Sequence, residues 1–246
     1  MRTLAYMCLL LGASLFMTNA VPARAQAAAR GKIALLSRTT NADPDLFVLD
    51  LDSNVRTNVT QGRLAGIADA AWSPDGTRLV VSADRGSNLY VVGADGAGLR
   101  GLTQNTGFAI AQAPTWSPDG TQVAFVCDAA ANYDVCLVGA DGTNRRRLTN
   151  TGSVYRDLAW SPDGKLIAYA SGPSFFDTKI FVMNADGTQP RQLSSGQGAD
   201  LAPAWSPDGS RIAYENDYQF GPAEIFVMNA DGTGQLRLTT GFHADR

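Results

Sequence analysis

Trp72-Ser73-Pro74-Asp75-Gly76 recurs word for word at Trp116–Gly120, Trp160–Gly164 and Trp205–Gly209. The tryptophans stand 44, 44 and 45 residues apart, and the chain has no others. A second phrase, Ala-Asp-Gly, follows each copy, with its acid at Asp95, Asp141, Asp186 and Asp231. Two markers in fixed order at one period mean that one structural unit is used repeatedly.

Aligned on tryptophan, the units show what they are made of. After each Asp-Gly comes a short strand: Arg78–Ser82, Gln122–Cys127, Leu166–Ser171 and Arg211–Asn216. Its columns are Leu79/Val123/Ile167/Ile212, then the small Val80/Ala124/Ala168/Ala213, then Val81/Phe125/Tyr169/Tyr214. Consecutive apolar positions mean that both faces of the strand are covered. A β-branched and aromatic strand follows at Leu89–Val92, Val135–Val138, Ile180–Met183 and Ile225–Met228. A last strand ends at Leu102-Thr103, Leu148-Thr149, Leu193-Ser194 and Leu238-Thr239. Pro-Asp-Gly and Ala-Asp-Gly are tight-turn signals: proline presets φ, aspartate bonds its own backbone, and glycine takes positive φ. Four short strands per unit at this period make a propeller blade.

The expectation is an all-β propeller of about five four-stranded blades, near residues 31–60, 61–104, 105–149, 150–194 and 195–240. The first is degenerate. Lys32–Ser37 and Leu46–Leu49 match its middle strands, and Asp50-Leu51-Asp52-Ser53-Asn54 replaces the second turn. It lacks its own Trp-Ser-Pro-Asp-Gly. The tail Thr240–Arg246 resembles the lead-in to another first strand and is a candidate to fill that slot and close the ring.

Residues 1–25 read as a signal peptide: Arg2, a short apolar stretch at Leu4–Met17, then Ala23-Arg24-Ala25 as an A-x-A cleavage site. The stretch is short for a membrane span and nothing later resembles one. Residues 26–246 then form one propeller domain, periplasmic or secreted. Loss of Arg2 and Arg24 takes the net charge from −3 to −5. An acidic chain with no long basic block argues against a nucleic-acid partner. The remaining cysteines, Cys127 and Cys136, lie in the second and third strands of one unit, and an even count in an exported chain predicts a cross-hairpin disulfide.

Repeats reading W-S-P-D-G … I-[FY]-V-M-N-A-D-G-T … R-x-L-T resemble the WD40-like (PD40) repeats of the TolB-type β-propeller, over residues 31–246. The resemblance implies a periplasmic propeller, often six-bladed, that docks other envelope proteins. The expectation is a propeller without the α/β domain that TolB carries before it, and without the hydrolase domain that follows similar repeats in prolyl-oligopeptidase-like peptidases.

Candidate chemistry is sparse. Ser-Pro-Asp-Gly is read as a turn rather than a nucleophile with its acid, because a catalytic site need not recur in every blade. Asp50-Leu51-Asp52-Ser53-Asn54 begins like a calcium loop but has Val55 where glycine is needed, so it reads as a worn turn. His243 is the only histidine and no G-x-S-x-G elbow accompanies it. No catalytic residue, metal ligand or cofactor is assigned. Arg100, Arg145, Arg146, Arg147, Arg191 and Arg237 fall at each unit's outer strand, where charge blocks edge-to-edge pairing, with anionic envelope polymers as the rival reading.

The two repeated turns project from one face of the ring. The opposite face carries loops that vary between units and contain Phe108, Tyr133, Tyr155, Arg156, Phe175, Phe176, Tyr218, Phe220 and Phe242. Aromatics and arginine on irregular loops suit recognition of an envelope or secreted protein, peptide or glycan, although several could fold inward instead. The alternatives are a propeller hydrolase or lactonase with a metal in the central channel, and a structural fragment of a larger propeller assembly.

Overall fold

The computed structural model describes residues 31–37, 43–104, 110–129, 132–151, 153–217 and 223–239, and the backbone of Leu15–Phe16. These residues form five four-stranded antiparallel sheets, and no helix is found among them. The first sheet holds β1 (Leu15–Phe16), β2 (Lys32–Ser37), β3 (Asp45–Asp50) and β4 (Arg56–Asn58); the second holds β5 (Asp69–Trp72), β6 (Arg78–Ala83), β7 (Asn88–Gly93) and β8 (Arg100–Gly101). The third has β9 (Ala111–Trp116), β10 (Gln122–Ala129), β11 (Asn132–Gly139) and β12 (Arg146–Arg147). The fourth has β13 (Val154–Trp160), β14 (Leu166–Ser174), β15 (Asp177–Asn184) and β16 (Arg191–Gln192), and the fifth β17 (Ala199–Trp205), β18 (Arg211–Asp217), β19 (Glu224–Asn229) and β20 (Leu236–Arg237). Strands pair in sequence order within every sheet, the meander of a propeller blade.

Each sheet is apolar on both faces, and four clusters fill the spaces between consecutive sheets. Leu36, Leu46 and Val48 of the first meet Leu79, Val81 and Tyr90 of the second. Val80, Leu89 and Val91 meet Val123 and Phe125. Leu137 and Val126 meet Ile167, Tyr169 and Met183, and Ile180 and Val182 meet Ile212, Tyr214 and Met228. None of these clusters joins the fifth sheet to the first.

The repeated pentapeptide is a self-contained fastener. Ser73 Oγ donates to Asp75 Oδ1 at 2.6 Å and accepts from the Arg78 N–H at 2.9 Å. Asp75 Oδ1 also accepts from the Thr77 N–H at 3.0 Å. Ser117 with Asp119, Ser161 with Asp163 and Ser206 with Asp208 repeat the pattern. These serines are consumed by the turn. The other end of each blade has its own fastener. Thr60, Thr103, Thr149, Ser194 and Thr239 each accept the N–H of the third strand's Leu46, Leu89, Val135, Ile180 or Ile225 at 2.8–2.9 Å. All five sheets share it, so the degenerate first unit is a true blade.

The outer-strand arginines act differently from an edge guard. Arg100 donates to the Ala140 carbonyl of the next blade's turn, and Arg191 donates to the Ala230 and Asp231 carbonyls at 3.1 and 3.2 Å. Asp186, held low first by its Thr188 hydroxyl, also feels Arg146. The column is a clamp between consecutive blades. Arg147 instead pairs with Asp134 in its own sheet at 3.2 Å, and Arg237 with Glu224.

Two further details differ from the sequence expectation. The strand beside β2 is Leu15–Phe16, registered with Leu35 and Ala34, from the apolar stretch read as a leader. The tail Thr240–Arg246 lies outside the described residues, as does the rest of residues 1–30. In the fourth blade, β14 and β15 run on to a two-residue turn at Phe175–Phe176, between paired Ser174 and Asp177, where an irregular loop was expected.

Cys127 and Cys136 are joined by a disulfide with Cα atoms 5.9 Å apart. Cys127 is registered with Asp134 and Cys136 with Phe125, so the bridge runs diagonally across the β10–β11 pair. Both residues are buried against the second blade's Val91 and Leu102. Replacing both by alanine is expected to cost about 2–3 kcal/mol, from the loop entropy released to the unfolded chain. Urea titration with an unshifted midpoint would show that the bridge adds nothing.

Candidate docking site on the loop face

The face carrying the repeated turns has little chemistry to offer. Its serine hydroxyls and one oxygen of each turn aspartate are committed within the turn, and the carboxyls of Asp75, Asp119, Asp141, Asp163, Asp186, Asp208 and Asp231 sit below the usual range. Asp208, hydrogen-bonded first by Ser206 and then by Ser210, is lowered to about 2. Unspent groups gather on the opposite face.

There the β14–β15 hairpin rises above its sheet and leans over the third blade. Phe175 meets Tyr133 of β11 edge to face, centroids 5.6 Å apart at 82°. The Arg156 guanidinium of β13 lies 5.8 Å from the same ring. An aromatic edge contact contributes about 0.5–1.5 kcal/mol and an exposed cation–π contact about 0.5–1. These contacts hold Phe175 at the hairpin tip, and its neighbour Phe176 is 70% exposed. Four of the residues expected on this face are therefore brought together: Tyr133, Arg156, Phe175 and Phe176. Tyr133 and Arg156 belong to strands rather than loops.

Tyr155 is a correction. It is buried on β13, tilted against Tyr169 at 5.5 Å, with its hydroxyl 2.6 Å from Thr151 Oγ1. It packs the seam between the third and fourth blades because successive strand residues point to opposite faces, and Arg156 took the outward one. Phe108, Tyr218, Phe220, Phe242 and His243 lie outside the described residues.

The innermost strands add two carboxylates that the motifs concealed. Three residues before each tryptophan stand Asp69, Ala113, Asp157 and Ala202. At the last three of these the pairing slips by a bulge, and φ is +47°, +50° and +49°. Left-handed backbone at non-glycine residues stores strain and re-aims side chains. Asp157 Oδ2 accepts the Ala202 N–H of the next blade at 3.3 Å. Burial pushes the Asp69 carboxyl up to about 6, against the Ala70 N–H and helped by the charge of Asp157. The recurring place before tryptophan was the available signal for them. Among the described residues, no group of three or more His, Cys, Asp or Glu is placed to hold a metal.

A cavity of about 400 Å³ lies at the base of the same hairpin, lined by Ser171, Asp177, Lys179, Phe181 and Gln192. Lys179 Nζ donates to Asp177 Oδ1, the Thr178 carbonyl and the Gly198 carbonyl, so its three protons are spent. The cavity has no free cation to offer.

Five meander sheets with a turn face and a loop face define a β-propeller. Residues 25–176 match the TolB beta propeller domain family (PD40), and the chain belongs to that family. No curated protein matches it. Among solved structures it is similar to a putative TolB from Agrobacterium tumefaciens, with TM-score 0.70 and 22% identity over 84% of this chain and 76% of that one. TolB from Acinetobacter baumannii gives 0.67 and 24% over 85% of this chain and 52% of that one, so the chain spans about half of its length. An oligogalacturonate lyase in complex with manganese gives 0.69 and 16% over 85% and 62%. At these identities the likeness is one of fold. No helix among the described residues is long and apolar enough to cross a membrane.

Asp69 gives a pH test. Its folded pKa stands above the unfolded value of about 3.9, so the folded state holds the proton more tightly and stability falls as pH rises from about 4 to about 6. Asp69→Asn is expected to be more stable than the parent at pH 7 by about 1–2 kcal/mol, with the gap closing below pH 4. Superimposable pH–stability curves would mean that this carboxyl titrates normally.

Proposed function

We propose that the chain is an exported β-propeller that docks an envelope or secreted macromolecule through its loop face. Phe176 carries the reading: a large aromatic stands 70% exposed on a hairpin tip whose neighbour Phe175 is held by Tyr133 and Arg156. An anchor already fixed in place loses little entropy on binding, and aromatics with arginine supply most interface energy. The blades beneath are stacked through buried clusters, a stiff mount for the hairpin. Export to the periplasm or beyond rests on the disulfide, which persists in oxidising compartments, and on the leader-like residues 1–25, whose removal would vacate the place of Leu15–Phe16 beside β2. Family membership supports a protein or peptide as the partner; a glycan fits the same side chains.

A metal-dependent hydrolase or lactonase is the second reading, and Asp69 with Asp157 is the observation in its favour. Two carboxylates without a third ligand fall short of the set a divalent ion needs. Metal analysis of the purified protein bears on it: a stoichiometric ion lost together with an activity on chelation would replace the docking proposal.

The direct test is capture from envelope extract with the parent and with Phe175→Ala/Phe176→Ala. The double variant, folded by melting temperature, is expected to lose at least about tenfold in affinity for whatever the parent retains specifically. A specific partner held equally well by the folded variant would remove the site from this hairpin.

A further inference from the structure

Register sets one residue of the third strand beside one of the fourth at the loop-face end of every blade's outer edge. The first stands two before Phe47, Tyr90, Cys136, Phe181 or Phe226, and the second is the partner of that residue across the strand pair. Four blades fill this corner with their own side chains. In the first, Asn58 Nδ2 donates to Asp45 at 2.9 Å. In the second, the outer position is Gly101, and the Gln104 side chain lies where a Cβ would stand, donating to Tyr90 Oη at 3.1 Å. In the third and fifth, Asp134 pairs with Arg147 and Glu224 with Arg237. The fourth blade has Lys179 and Gln192, and they do not meet. Lys179 Nζ donates to Asp177 and to the Thr178 and Gly198 carbonyls, and Gln192 Nε2 to the Ser194 carbonyl at 2.7 Å. The cavity of about 400 Å³ is lined by both.

We propose that this cavity is a binding site for one neutral sugar ring. Its lining sets the chemistry. The Lys179 charge is met by Asp177 at 2.9 Å, so the walls carry no net charge. With its three protons already given to protein oxygens, Lys179 has none for an anion, and its charge repels a cation. The hydroxyls of Ser171 and Ser195, Gln192 Oε1 and the second oxygen of Asp177 have no hydrogen-bond partner among the described residues. Packing does not explain the Ser171 hydroxyl. It stands opposite Lys179, where the second, third and fifth blades have Ala83, the disulfide-bonded Cys127, and Asn216, which donates to Asp200. Ser171 is only 6% exposed, and a buried hydroxyl left unpartnered favours any ligand that bonds it. Phe181 adds an aromatic wall, backed by Tyr169 with centroids 5.7 Å apart at 15°. A sugar ring matches this set. Its hydroxyls donate to Gln192 Oε1 and Asp177 and accept from Ser171, and its C–H face lies against Phe181. The volume falls in the range of small-ligand sites, about 300–1,000 Å³. An arginine side chain of a peptide is the poorer occupant, because it brings a second cation beside Lys179. The inference stands on the cavity and not on Phe176, so it and the docking proposal can fail separately.

The test is saturation-transfer NMR on the purified protein with the methyl glycosides of glucose, galactose, mannose and N-acetylglucosamine. Galacturonic acid and N-acetylarginine amide serve as the anionic and cationic probes. These molecules are small enough to fill the cavity without reaching the hairpin tip, so the result is independent of capture on Phe176. Transfer to at least one neutral glycoside is expected, stronger than to either charged probe. Gln192→Leu, which removes an acceptor from a solvent-exposed position, is expected to weaken that glycoside about tenfold by titration. Ser171→Ala, which removes a hydroxyl that bonds nothing in the protein, gives a second measure in case the first variant misfolds, with a weakening of about threefold or more. Absence of transfer to all four glycosides at about 10 mM overturns the proposal, since even a millimolar site would be mostly filled. Tighter binding of galacturonic acid or of the arginine amide overturns it in favour of a charged ligand. A glycoside held equally well by both folded variants puts the sugar elsewhere on the protein.

Discussion

A sheet that is apolar on both faces can be solvated on neither, and this constraint organises the molecule. The second, third and fourth blades each bury one face on the predecessor and the other on the successor. The column Val80, Ala124, Ala168 keeps the outward face flat enough for the next sheet to approach, while the larger Ile212, Tyr214 and Met228 fill the space from the far side. The turns obey the same spacing. A Cβ on Gly187 would come within 2.8 Å of the Leu148 carbonyl oxygen, and one on Gly232 within 3.0 Å of that of Leu193. At φ of +90° and +92° these residues are glycine for conformation and for proximity at once. Ala-Asp-Gly is therefore as much a packing motif between blades as a turn motif within one.

The polar groups fall into place around that stacking. Arginines at the outer strands reach forward to turn carbonyls, and Trp116 and Trp205 reach back, donating their indole N–H to the Ala71 and Ala159 carbonyls of the preceding blades at 3.1 and 3.2 Å. The equivalent N–H groups of Trp72 and Trp160 are buried and find no partner among the described residues. The tryptophan is thus retained for its volume in four blades, while its hydrogen bond to the preceding blade is made in two.

Much of this was legible in the residues. The fixed order of two turn motifs gave the blade, its period and the middle strands to within three residues. The end of the last strand was placed by Leu-Thr, and the hydroxyl that closes every blade explains why the pair recurs. What the sequence concealed depended on neighbours that are distant in the chain. The outer-strand arginines looked like edge charges because nothing local names the turn some 40 residues on that they grip. Tyr155 and Arg156 looked alike as loop residues, yet one strand register sends the first into a seam and the second to the surface. Asp69 and Asp157 were hidden because no motif contains them, and the raised carboxyl of Asp69 comes from burial rather than from adjacent residues.

The serine–aspartate fastener satisfies its own donors and acceptors within a span of five or six residues. It asks nothing of the blade on either side. Contacts between blades are likewise repeated copies of one seam, save at the two ends. No single unit therefore encodes how many units there are. Blade number in such a chain is a property of gene length, free to change by whole cassettes.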